Sequence, residues 1–474
     1  MTHPLTRRQV AIWAAALTGG GLARASAAPV FAAADLAHAQ ALRSAGLTDS
    51  LAYALVESLV TEVGARPAGS PNDLRAVQWA QAKLTALGFA NVRAEPVPLS
   101  AWQRGPMSAR LTAPYPHPLV AVALGNSVAT PDAGIDAEIA YYPDLLSLRA
   151  DTTERARGRI VFIDQKTERS RDGSGYGEAV PARSSGAIEA ARRGAVAVAI
   201  RSIGTSNHRH AHTGAMRYDP TVPRIAAFAV SVPDADLIAR IHARGRPLRL
   251  QFSLQAQSGV AAVSHNVIGE VPGSDLADEV VMLGAHLDSW DLGQGAVDDG
   301  AGVGIVVAAA KQLLLAGLKP RRTVRVVLFA NEENGFDGAL AYGERYKAQV
   351  HQFIGESDFG AGLIYRFRSQ VRDPALPLMA AIAAQLAPLG IAAGDNQARP
   401  GPDAAVLMRR QRWPGLELSQ DGRDYFDVHH TEDDTLDKVN PATLPQNVAA
   451  WAVVAWLAAQ APVAFGPLPA LPPR

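Results

Sequence analysis

Two continuous apolar runs, VVMLGAHLD at 280–288 and RTVRVVLFANEE at 322–333, bracket a long apolar stretch, AGVGIVVAAAKQLLLAG at 301–317. A run that is apolar without alternation reads as a strand covered on both faces. The middle stretch has the spacing and length of a helix, with Gly317 near its stop. Strand, helix, strand of this kind implies an α/β fold: a mixed, mainly parallel sheet flanked by helices. In open α/β sheets, ligands bind beyond the carboxyl ends of the strands. Here the first run ends in His286-Leu287-Asp288 and the second in Asn331-Glu332-Glu333, and Asp298-Asp299 stands in GQGAVDDGAG at the start of the helix.

The other segments fill in around that unit. Residues 46–92 read as two helices joined by the turn-rich RPAGSPND, and residues 93–125 as extended and proline-rich. Residues 126–258 alternate short β-like runs (AEIAYY, RIVFID, AVAVAI, IAAFAVS) with turns and hold one clear helix, SSGAIEAARRG at 184–194. That segment is expected to be a compact β-rich unit with little helix. Helical patterns return at 338–350, 374–388 and 441–461. The expected division is an export signal at 1–27, a catalytic unit from 28–112 and 262–474, and an insert at 113–261.

Composition narrows the chemistry. The 45 basic and 45 acidic residues cancel, which argues against nucleic acid or an anionic membrane surface as partner. There is no cysteine, so disulfides, thiolate nucleophiles and Cys-ligated metals are excluded, and any metal must be held by His, Asp and Glu. Arg7 and Arg8, the charge-free stretch from Gln9 to Ala23 and the small residues Ala25-Ser26-Ala27 make a signal-peptide pattern. The paired arginines resemble those of a twin-arginine signal, with an ordinary secretory signal as the alternative; either way the expected location is periplasmic or secreted, with no stable membrane span after cleavage.

Asp358 in IGESDFGAG and His429, His430 and Asp434 in DVHHTEDDT join the strand-end residues as candidates. A His/Asp/Glu set without cysteine suits zinc in a hydrolytic site. Two ions fit if one carboxylate bridges them. Each motif alone is weak: an Asp-Asp pair beside glycines is more often a helix cap, and a Glu pair after a strand is more often a solvated loop. Their joint order, HxD, DDGAG, NEE, ESD and HHTxxDT, is the strong signal.

GAHLDSWDLGQGAVDDGAG, ANEENG, ESDFG and YFDVHHTEDDT resemble, in order and spacing, the metal motifs of the co-catalytic zinc exopeptidases. That family includes secreted bacterial aminopeptidases and carboxypeptidase Q. The likeness covers nearly all of the chain after the signal. AHTGAMRY and VPRIAAFAVSVPDADLIARI are similar to a protease-associated domain of the carboxypeptidase Q branch. The resemblance implies two zinc ions, with His286 and Asp358 on one, Glu333 and His430 on the other, and Asp298 bridging. It implies a cis peptide at Asp298–Asp299, Glu332 as general base, and Asp288 as the group that fixes the ring of His286. It also implies hydrolysis of dipeptides or short peptides, and a homodimer. Glu356 is the competing carboxylate for Asp358, and His429 the competing ring for His430.

His429, Tyr425 and His212 are candidates for contact with substrate or the oxyanion. His208, His210 and His212 alternate and would share one face of a strand, but a loop lining the cleft is the simpler reading. An N-terminal aminopeptidase is the second functional reading. A metal-free receptor-like binding protein and a one-zinc glutaminyl cyclase are alternatives of another class; the retained ligand set argues against both. Cobalt or manganese could replace zinc in such a site.

Overall fold

The computed structural model describes residues 30–470. The export signal expected at 1–27 lies outside the described residues. The strand Leu276–His286 lies between the parallel strands Arg322–Phe329 and His351–Glu356, and Gly415–Gln420 extends the parallel set. Register is tight: Phe329 pairs with His286, and Glu356 with Gly284. All four strands therefore end at one rim, the geometry that the apolar runs predict.

Both faces of this sheet are covered, as continuous apolar strands require. Val281, Leu283 and Ala285 point to one face, against a core shared with the helices Leu51–Glu62, Ala301–Leu315 and Leu444–Gln460. Val280 and Met282 point to the other, toward the helices Asp337–Arg345 and Pro402–Gln411. The helix at 301–315 starts hard against the loop after Glu356. A Cβ at Gly302 would fall 1.8 Å from the carbonyl oxygen of Ser357 and 2.2 Å from Asp299 Oδ1, so glycine alone lets those backbones meet.

A long antiparallel ribbon, Ala90–Ala113 with Arg249–Val271, joins this sheet to a second one. One end of the second arm pairs with Arg322–Phe329 and the other with Ile135–Tyr142. From there the sheet continues in parallel through Ile160–Ile163, Ala197–Arg201 and Ala226–Val230. This region carries more helix than the sequence suggests. Ser174–Arg192 and Val232–His242 are both helical, and the first begins ten residues before the stretch read as helix. Its opening turns, SGYGEAVPAR, hold two glycines and Pro181, so the helical periodicity is diluted where the helix begins. Among the described residues no helix is long and apolar enough to cross a membrane.

One buried ion pair pins the ribbon to the sheet. Arg325 and Glu270 stand directly opposite each other on neighbouring strands, both about 95% buried, with Nε donating to Oε1 at 2.7 Å. Arg325 also donates to Tyr342 Oη at 3.0 Å and Gln349 Oε1 at 2.9 Å. Burial works to raise the Glu270 carboxyl, but the charge of Arg325, hydrogen bonds from Asn91 and Arg325, and the charge of Arg93 outweigh it and hold it below the usual carboxylate range. Its contribution is therefore present above the unfolded carboxylate pKa of about 4.3 and lost as pH falls through the depressed folded value. Arg325→Met leaves the buried Glu270 with only Asn91 at 2.7 Å and the partly exposed Arg93 at 3.4 Å, and is expected to cost about 1.5–3 kcal/mol at neutral pH in urea unfolding. The deficit should shrink in acid as the carboxyl takes up a proton. A loss within about 1 kcal/mol at neutral pH would contradict this role.

Candidate active site

The rim of the parallel sheet gathers the polar residues singled out in the sequence. His286 ends its strand fully buried, and its Nε2 lies 3.2 Å from Asp298 Oδ1 and 3.8 Å from Asp358 Oδ1. Asp298 turns its other oxygen to the HHT loop. Oδ2 lies 3.2 Å from His430 Nε2 and 3.4 Å from His429 Nε2. His430 Nε2 is also 3.1 Å from Glu333 Oε2. Asp298 thus stands between one histidine–carboxylate set, His286 with Asp358, and a second, His430 with Glu333. The Asp298–Asp299 peptide is cis.

Backbone amides fix the ring of residues around this centre. Asp299 accepts from the amides of His286 and Gly302, both at 3.1 Å. Asp434 accepts from the amides of Val297 at 2.6 Å and Asp298 at 3.2 Å, so its carboxylate holds the Asp298 backbone. The carboxylate of Asp288 accepts from the amides of Glu332 at 3.1 Å and Glu333 at 3.4 Å. Asp288 meets the ring of His286 through its main chain. The ring of His286 is fixed by the main-chain oxygen of Asp288, 3.0 Å from Nδ1, while the carboxylate stands 3.8 Å away and orients the Glu332-Glu333 turn instead. The carbonyl lies along the ring's N–H and the side chain is drawn off by two amides.

The competing residues differ in what they touch. Glu356 turns away from the centre, accepting from the amide of Ala404 at 3.0 Å, whereas Asp358 faces His286. His429 and His430 stack at 3.5 Å and both reach Asp298, but His430 also meets Glu333. Tyr425 and His429 line the cleft. His212 does not line it. Its ring is buried 6.5 Å from that of His429 and packed against Gly204, and burial pushes its pKa down to about 3. His208 and His210 lie nearer the surface, with Nδ1 atoms 3.8 Å from Asp433 Oδ2 and 3.9 Å from Glu432 Oε2.

Electrostatics and orphaned atoms bear on whether a cation fits. Burial raises Glu332, Asp358 and Asp299 well above the usual carboxylate range, only partly countered by the charge of His286. Burial also works to raise Asp298, but His429, His286 and His430 outweigh it and hold Asp298 well below that range. Burial works to lower His430, and Glu333 and Asp298 lift it to about 9. Asp298 Oδ2 and Glu333 Oε1 are buried without a hydrogen-bond partner. For Asp298 Oδ2 two ring nitrogens are close but not aligned for hydrogen bonding. Close approach without alignment is what lone pairs aimed at a shared third point produce, and a donor set of nitrogens and carboxylate oxygens suits a divalent metal. His286, Asp298 and Glu333 form one such group, Asp298, His429 and His430 a second, and His286, Asp299 and Asp358 a third.

The centre opens into a cleft of about 710 Å³. One wall is the sheet rim with Glu332 and Glu333; the other comes from the helix Ser174–Arg192 and the segment at 215–217, including Tyr176, Arg183 and Met216. Sequence reading missed Arg66 and Arg183. Arg66, fully buried, donates to the carbonyl oxygens of Leu287 at 2.5 Å, Gln294 at 2.8 Å and Gly295 at 2.9 Å, and so ties down the loop between His286 and Asp298. A lone arginine in RPAGSPND carries no spacing signal that would have revealed this.

Known proteins share this sequence pattern and fold. The sequence profile of peptidase family M28 matches residues 266–455, the span that holds the whole cluster. Carboxypeptidase Q of Bos taurus is 34% identical over 420 residues, covering 87% of this chain and 86% of its own. The crystal structure of a peptidase M28 precursor from Shewanella amazonensis is 48% identical, with a TM-score of 0.90 over 92% of this chain and 99% of its own. A zinc aminopeptidase from Bacillus subtilis shares the fold at 17% identity, with a TM-score of 0.61 over 85% of this chain and 94% of its own. With identity at this level along most of its length, the chain belongs to peptidase family M28 and is a metallopeptidase.

Proposed function

We propose that this protein is an exported exopeptidase that hydrolyses dipeptides or short peptides with two divalent metal ions, zinc foremost. One observation carries the reading. The two oxygens of Asp298 face opposite ways, Oδ1 3.2 Å from His286 and Oδ2 3.2 Å from His430, so one carboxylate serves two adjacent positions. His286 and Asp358 would hold one ion, Glu333 and His430 the other, and Asp298 both. The Bacillus subtilis relative is described as a zinc enzyme, and the ligand types here suit zinc. Bound there, the ions would activate water and polarise the scissile carbonyl.

The chain's own residues supply the proton steps. Glu332 lines the cleft, and its amide is anchored on Asp288, which aims the turn carrying it. Burial raises its carboxyl, the direction a general base working near neutrality needs. In this reading Glu332 takes a proton from the attacking water and passes it to the leaving amine. His429 and Tyr425 flank the carbonyl. We assign 28–112 and 262–474 to the catalytic unit and 113–261 to a cap. A cap across the cleft favours short substrates, and the likeness to carboxypeptidase Q supports a dipeptidase over the alternative, an N-terminal aminopeptidase. Export through the Arg7-Arg8 signal and pairing as a homodimer complete the proposal.

Two variants test it. Glu332→Gln should keep both metals and lose about 10²–10⁴-fold in kcat on a dipeptide; a rate near wild type would remove Glu332 as base. Asp434→Ala frees the amides of Val297 and Asp298 and should weaken metal affinity about 10–100-fold in competition with a chromogenic chelator. Unchanged affinity would show that the Asp298 backbone needs no such anchor.

A further inference from the structure

Two histidines and two acids outside the cleft have no part in the peptidase reading. His208 and His210 stand on the segment that links the strand Ala197–Arg201 to Ala226–Val230, and Glu432 and Asp433 on the turn that follows His430-Thr431. His208 Nδ1 lies 3.8 Å from Asp433 Oδ2, and His210 Nδ1 3.9 Å from Glu432 Oε2. One donor atom each from His208, His210 and Asp433 falls within 4.8 Å of the others. The two rings stand edge to face, with centroids 6.2 Å apart.

Backbone bonds arrange this meeting. Thr205 N donates to Phe426 O at 3.0 Å, and its hydroxyl donates to Asp427 Oδ1 at 2.7 Å; further on, Thr213 N donates to His430 O at 3.0 Å. Both ends of the segment 205–213 are thereby fastened to the loop 426–430, which leaves His208 and His210 over the turn beyond it. Thr431 sets that turn: its hydroxyl accepts from Asp433 N at 3.1 Å and donates to Val428 O at 2.6 Å. One cation competes. Lys438 Nζ lies 3.3 Å from Asp433 Oδ1, which leaves Oδ2 to the ring of His208. Arg209, between the two histidines, is turned away to Asp234 at 3.0 Å.

Simple ion pairing accounts poorly for the spacing. A charged hydrogen bond closes to about 2.7–2.9 Å, and side chains 66% and 36% exposed, as His208 and His210 are, have room to close it. Neither does. Ligand atoms at about 2.0–2.1 Å from a tetrahedral zinc stand about 3.3 Å from one another, so these donors are spaced near the edge of a coordination polyhedron and need only small rotations to complete it.

We propose that His208, His210 and Asp433, with Glu432 beside them, bind a divalent transition-metal ion of the zinc type, and that this ion clips the segment 205–213 to the turn after His430. Two imidazoles select such an ion over magnesium or calcium. The site shares no ligand with the catalytic centre and stands whether or not the peptidase reading does. It grips the turn next to Asp434, whose carboxylate holds the Asp298 backbone.

The test is zinc binding to the full, metal-loaded chain, in competition with a chromogenic chelator, on wild type, His208→Ala, His210→Ala and Lys438→Met. Wild type should bind one equivalent of zinc beyond its tightest ions. H208A and H210A should each weaken that equivalent about tenfold or more and leave the tighter ions in place. K438M removes the competing charge and should tighten it about two- to fivefold. Zinc should also slow amide hydrogen exchange across 206–212 in wild type and not in H208A, and magnesium at the same concentration should leave it unchanged. Binding is read as a difference between chains, so it holds for any number of ions in the catalytic centre. The proposal is overturned if wild type, H208A and H210A bind the same zinc with the same affinity, if K438M weakens the extra equivalent, if exchange at 206–212 does not respond to zinc, or if magnesium slows it equally.

Discussion

Acidic groups crowded together out of water are the constraint on which this structure depends. Asp288, Asp298, Asp299, Glu333 and Asp434 are all buried around His286, with Glu332 and Asp358 at the mouth of the cleft. Left to themselves such groups repel one another and lose hydration. The fold meets the demand in two ways. The outer acids are given backbone amides: Asp299 those of His286 and Gly302, Asp434 those of Val297 and Asp298, Asp288 those of Glu332 and Glu333. Arg66 sits behind them as a fixed positive charge. The inner oxygens, Asp298 Oδ2 and Glu333 Oε1, receive no donor and are kept for something else.

The scaffold makes that division possible. Four parallel strands ending at one rim deliver His286, the Glu332-Glu333 turn, Asp358 and the HHT loop from rigid elements. The helix after Asp299 meets the loop after Glu356 backbone to backbone, which draws Asp358 to the centre. Across the cleft the second sheet contributes no acid to the cluster. Its helix Ser174–Arg192 contributes Tyr176 and Arg183, an aromatic ring and a cation. The long ribbon between the sheets, with Arg325 and Glu270 in its pairing, holds the two walls in register.

Legibility in the sequence followed the physics of each part. Strands buried on both faces announce themselves as unbroken apolar runs, and their carboxyl ends are where ligands bind, so His286, Glu332, Glu333 and Asp358 could be found without coordinates. The fold class followed from the same runs. The helix at 174–192 was hidden in part because glycines and Pro181 interrupt its first turns. The division of labour in Asp288, carbonyl to the ring and carboxylate to two amides, depends on a turn whose path no residue pattern encodes. Arg66 and Arg183 act across more than 200 residues of chain, on loops and a ring that only folding brings near. His212 looked like a cleft residue because its motif is polar, yet tertiary packing puts it behind His429.

The most direct measurement is a crystal structure of the zinc-loaded enzyme with anomalous data at the zinc edge. The account requires two peaks about 3.5–4 Å apart, one beside His286 and Asp358, one beside Glu333 and His430, with Asp298 between. A single peak, or a pair that leaves Asp298 out, would contradict it.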